Sequence, residues 1–185
     1  MNKNKTNGFT IVELLTVVGI LVIISSILAG ILYSTLRGGN KTSITTAVAQ
    51  NGNYVVSAIS NLIIGSQSVV QVGGVPFTDC TASPSASSIS LKGYDGGVTI
   101  LSCSGGTISS QSGTMTPVSL IDTNQVQIDS SSPCLFYCST QISGDPYSLP
   151  IVGFEFTLTD KSSTFLDSKA KARFNSSASL RNFNP

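Results

Sequence analysis

Few side chains in this sequence can do chemistry, and their types and spacing limit which chemistry is open. Histidine and tryptophan are absent. Without imidazole the commonest general base and metal ligand is missing, and no histidine-based nucleophile–base pair can form. No glycine motif of the phosphate-cradling kind occurs. The expectation is a protein that is not an enzyme and that has no cofactor and no metal.

The four cysteines are Cys80, Cys103, Cys134 and Cys138. An even number lying beyond an apolar N-terminal run reads as two disulfides formed in an oxidising, extracytoplasmic compartment. The rival is a four-thiolate zinc site, whose ligands usually come in close pairs. Only Cys134 and Cys138 are close here, as C-x₃-C. Three pairings are open, and the expected one joins Cys80 to Cys103 and Cys134 to Cys138. Asp122 with Asp129, and Asp160 with Asp167, are candidate calcium ligands. Calcium takes about six to eight oxygens, and lone aspartates are ordinary in Ser/Gly-rich turns, so no metal site is expected. Tyr33, Tyr54, Tyr94, Tyr137 and Tyr147 are dispersed and read as structural rather than as an electron-transfer array.

The last reactive group is Glu13, the only charge in the run from Phe9 to Leu36, FTIVELLTVVGILVIISSILAGILYSTL. As a helix its 28 residues reach about 42 Å, more than the ~30 Å hydrocarbon core of a bilayer. Lys3 and Lys5 precede it, Arg37 and Lys41 follow, and the small bias permits a cytoplasmic N-terminus and an exported C-terminal part. A conventional signal peptide has a shorter apolar region and a small-x-small cleavage site. A plain anchor has no reason to accept a membrane carboxylate, which costs about 2.5–3.5 kcal/mol. Near the interface Glu13 can reach water; its functional reading is that a positive group on a neighbouring subunit meets it.

Gly8-Phe9-Thr10-Ile11-Val12-Glu13-Leu14-Leu15, behind a short basic leader, resembles the cleavage and methylation motif of type IV prepilins and type II secretion pseudopilins. The resemblance implies cleavage between Gly8 and Phe9 by a prepilin peptidase and N-methylation of Phe9. It also implies pairing of Glu13 with the terminal amine of a neighbouring subunit during assembly. Loss of Lys3 and Lys5 would leave eight basic against nine acidic side chains, a balance of −1. Partners implied are identical or related pilin subunits in a helical filament, an inner-membrane assembly platform with its ATPase, and membrane lipid before assembly. The implied location is the cytoplasmic membrane, single-pass with the N-terminus inside, and then an extracytoplasmic or cell-surface filament. Related pilins often carry a helix-breaking proline where Gly30 falls. Gly19 and Gly30 are read here as points of helix flexibility or of close packing with a neighbour.

The elements that must position these groups follow from periodicity. After Gly38-Gly39-Asn40, a kink or a break, Ile44, Ala47, Val48, Val55, Ala58, Ile59, Leu62 and Ile63 recur at helical spacing, and Gly65 is a natural stop. Beyond it SVVQVGG, SISLKGY, VTILSCS, NQVQID, CLFYCST and IVGFEFTLTD read as strands bounded by turn residues. LTDKSSTFL fits a hairpin loop before a final strand, and TASPSASS a flexible loop. The terminus FNSSASLRNF is similar to the end of minor pilins and J-type pseudopilins.

The expected fold class is α+β, with one long helix packed on an antiparallel sheet, the pilin arrangement. Residues 1–8 form the leader, 9–36 the transmembrane and assembly helix, 37–65 its amphipathic continuation and 66–185 a β-rich head. Of 185 residues 41% are hydrophobic and only 10% charged, against about a quarter charged in a soluble domain. Net charge is +1, and the only basic clustering is Lys169, Lys171 and Arg173, alternating as on one exposed strand face. No nucleic-acid partner is expected. The function expected is a structural filament subunit. The alternatives are a minor tip subunit acting as adhesin or uptake-binding module, and an anchored exported domain that never polymerises.

Overall fold

The computed structural model describes residues 10–76, 80, 84–140, 149–161 and 169–180. The chain divides into two compact units, Met1–Thr42 and Ser43–Pro185. One helix, α1 (Ile11–Ile64), enters both.

Helix α1 starts where its sequence satisfies the free backbone N–H groups. Thr10 and Glu13 form a capping box: the Glu13 N–H donates to Thr10 Oγ1 at 3.3 Å, and the Thr10 N–H donates to Glu13 Oε2 at 3.1 Å. The helix ends at Gly65, whose N–H donates to the Asn61 carbonyl at 2.9 Å. Gly30 and the Gly38-Gly39 pair lie inside continuous helix, so the expected break does not occur. A side chain at any of these three glycines would meet nothing within 4 Å.

In the second unit α1 buries Val48, Gly52, Val55, Ile59 and Ile63, a stripe at spacings of three and four. Ile44, Ala47, Ala58 and Leu62 flank it half-buried. The stripe joins a core with the inner faces of two antiparallel sheets, giving the helix-on-sheet α+β fold. The six-stranded sheet contains β1 (Ser66–Val72), β2 (Val75–Pro76), β4 (Ser88–Gly93), β5 (Val98–Ser104), β6 (Thr107–Ser112) and β7 (Val118–Ser119). Its order is β2-β1-β4-β5-β6-β7. Gly73-Gly74 and Gly105-Gly106 form two-residue hairpin turns with φ of 64°, 79°, 59° and 78°, values that favour glycine.

The second sheet has the order β11-β10-β9-β3, from β3 (Ser85–Ala86), β9 (Leu135–Thr140), β10 (Pro150–Asp160) and β11 (Lys171–Ser179). Strand β8 (Val126–Ile128) also pairs with β10. Its inner face is an aromatic row. Phe136 lies opposite Phe154, and Phe156 opposite Phe174 with ring centroids 5.3 Å apart. The Phe174 ring fills the space beside Gly52, where a Cβ would collide with it. On the outer face Lys171 and Arg173 are exposed as their alternation suggests, and Lys169 is exposed just before β11.

The disulfide pairing differs from the expected one. Cys80 is joined to Cys138 (Cα–Cα 5.2 Å) and Cys103 to Cys134 (6.1 Å). Cys134 directly precedes β9 and Cys138 lies within it. Four residues of extended chain separate two Cα atoms by roughly 13 Å, beyond any disulfide. Cys134 bonds instead to β5, and that bridge ties one sheet to the other.

Candidate assembly and membrane-insertion site

The N-terminal unit offers the surface that most needs a partner. From Ile11 to Leu36 no side chain is buried, and the exposure of the large apolar ones runs from 48% at Ile24 to 83% at Ile11. The helix is long and apolar enough there to cross a membrane. Three of its hydroxyls suit such a setting because they are satisfied within the helix. Thr16 Oγ1 donates to the Glu13 carbonyl at 3.0 Å, Ser26 Oγ to Ile23 at 2.8 Å and Thr35 Oγ1 to Ile31 at 2.9 Å. Hydrocarbon offers no water to replace such bonds, so local back-bonding lowers the cost of carrying these three through it.

Glu13 is placed by the first turn. Besides the Thr10 N–H, its Oε2 accepts the Thr10 hydroxyl at 3.1 Å. An acidic group there also complements the positive end of the helix dipole. The sequence pattern T-x-x-E carries this capping function, which attention to the membrane cost of Glu13 alone leaves out. Gly8 and Phe9, the expected cleavage and methylation positions, lie outside the described residues. Gly19 and Gly30 have open space where a side chain would stand, so nothing among the described residues requires glycine at either position.

Two of the candidate calcium ligands have other work. Asp122 Oδ1 accepts the Asn124 N–H at 3.0 Å, an Asx turn, and its own N–H donates to Asn51 Oδ1 of α1 at 2.9 Å. Asp129 is ion-paired with Lys171 and accepts from the Ser131 N–H at 3.1 Å, the Ser131 hydroxyl and the Ser132 hydroxyl. These bonds, that of Lys171 foremost, hold its carboxyl well below the usual carboxylate range. Asp160 is buried, and Asp167 lies outside the described residues. Among the described residues no group of three His, Cys, Asp or Glu is placed to hold a metal ion.

The two disulfides brace the head. Cys80 and Cys138 are buried, while Cys103 and Cys134 are half-buried at the edge of the core. No family model matches this chain, and neither does any curated protein or solved structure.

Proposed function

We propose that this chain is a structural subunit of a filament of the type IV pilin and pseudopilin kind. It is stored in the cytoplasmic membrane as a precursor, cleaved between Gly8 and Phe9, N-methylated at Phe9, and polymerised through its apolar helix. The observation that carries the reading is the wholly exposed apolar run of α1, opened by Thr10 and Glu13 directly after the prepilin-like Gly8-Phe9.

Each large apolar side chain removed from water contributes roughly 1.5–3 kcal/mol, so this surface is covered by lipid in the stored subunit and by neighbouring helices in the filament. Between lipid and filament there is little hydrophobic difference, so assembly draws on close packing and polar contacts. Gly19 and Gly30, unexplained within the monomer, let a neighbouring backbone approach. Cleavage creates an amine one residue before Thr10. Glu13 then exchanges neutral donors for a cationic one on a neighbour, a stronger bond whose gain is offset by desolvation and whose main effect is to set register. The peptidase, the assembly platform and its ATPase are partners on this reading.

A second reading places the chain at the filament tip as a binding module, and the disulfide-braced, Ser/Thr-rich strands of the head favour it. Sheared surface filaments labelled with an antibody against the head distinguish the two. Labelling along the length is the expected result, and tip-only labelling selects the second reading. Glu13→Ala is expected to leave the chain cleaved and membrane-bound but deplete it from filaments at least about tenfold, the equivalent of one lost charged contact. Normal incorporation of Glu13→Ala would contradict the assigned role.

A further inference from the structure

The outward face of the second sheet carries polar groups that the fold does not use. Residues opposite each other on paired strands share a face. Gly153 of β10 stands between Tyr137 of β9 and Ser177 of β11, and the next row is Leu135, Glu155 and Asn175. Tyr137 reaches across onto β10, and a side chain at Gly153 would collide with its ring. The missing side chain thus leaves room for the phenol end of Tyr137, which is half-buried, over Gly153.

Two further features define what this face can hold. The charges beside Asn175 are paired: Arg173 Nη2 donates to Glu155 at 2.6 Å, and Lys171 is paired with Asp129. Among the described residues neither the Tyr137 phenol nor the Asn175 amide makes a side-chain hydrogen bond, although a half-sunk phenol usually finds a partner.

We propose that this face binds a neutral oligosaccharide. A sugar ring presents an apolar C–H face and a rim of hydroxyls. The first matches the flat ring of Tyr137, and the second matches the Tyr137 hydroxyl, the Asn175 amide and the exposed edges of the Glu155–Arg173 pair. A polyanion such as nucleic acid or a sulfated glycan needs several uncompensated cations, and of Lys169, Lys171 and Arg173 the last two are already neutralised, while Lys169 lies six residues along the chain from Asn175. An apolar peptide or small molecule calls for a concave, largely apolar site, and this surface is a sheet face. The assignment does not depend on whether the chain polymerises.

The test uses the full chain in lipid nanodiscs, free of sugar-based detergent, titrated with cellotetraose and with the tetramer of N-acetylglucosamine. Binding is followed by NMR shifts of the head. Saturable binding of at least one probe is expected, little changed by salt. Tyr137→Ser should weaken it about tenfold, the scale of one aromatic contact. Asn175→Ala, an exposed substitution expected to leave thermal unfolding unchanged, should weaken it several-fold, and Gln111→Ala on the other sheet should not. No saturable binding of either probe would overturn the proposal. So would full affinity in both face variants, or binding of a sulfated oligosaccharide alone.

Discussion

Asp129 illustrates how one side chain can hold several local features at once. Its carboxylate gathers Lys171 of β11 and two serines of the segment that leads to Cys134. Because its pKa is lowered by folding, the stability it contributes is present above the unfolded value near 4 and is lost as pH falls through the lower folded value. Asp129→Asn should therefore unfold at a lower temperature than wild type at neutral pH, with the gap closing below about pH 4. A gap that persists or widens in acid, read by thermal melts across pH, would contradict this. At the same scale, the capping box of Thr10 and Glu13 was missed, although their spacing of three carries its signal. Gly52 was not legible, because a helical glycine reads only as a weak point until the ring of Phe174 is seen against it.

At the scale of elements, Gly52 and Phe174 fix how α1 meets β11. Alanine normally stabilises a helix over glycine by about 1 kcal/mol. Here its methyl group would displace Phe174 from its stack on Phe156, and overpacking of this kind costs about 1–3 kcal/mol. Gly52→Ala should destabilise the head, and Phe174→Leu in the same chain should recover part of the loss. Denaturant unfolding of the two single variants and the double variant reads the coupling, and strict additivity would show that the contact does not matter. The helix and the β-branched strands were legible because apolar residues recur at spacings of three and four in one and alternate in the other. Strand β6, Thr-Ile-Ser-Ser-Gln-Ser, was not, since Ile108 is its only large apolar residue. The Gly105-Gly106 turn and pairing with β5 make it a strand. The disulfide pairing was equally hidden, because it depends on which residues the two sheets bring together.

At the scale of the whole molecule, two nested disulfides close loops with sequence separations of 58 and 31 residues within the head. Removing one such bridge from a small exported domain costs roughly 2–5 kcal/mol. Peptide mapping without reduction should recover Cys80 linked to Cys138 and Cys103 linked to Cys134. Cys103→Ser with Cys134→Ser should lower the unfolding midpoint while leaving membrane insertion intact. Peptides linking Cys134 to Cys138 would contradict the fold of β9. On the proposed function, insertion and assembly belong to the other unit, whose apolar run is exposed and long enough to cross a membrane.

The most direct measurement of the central claim is the N-terminal mass of the chain recovered from membranes with and without an active prepilin peptidase. The account predicts a mature chain that begins at N-methylated Phe9 only when the peptidase is active. An intact Met1 under both conditions, or a cut beyond Ala29, would contradict it and leave an anchored or secreted domain in place of a filament subunit.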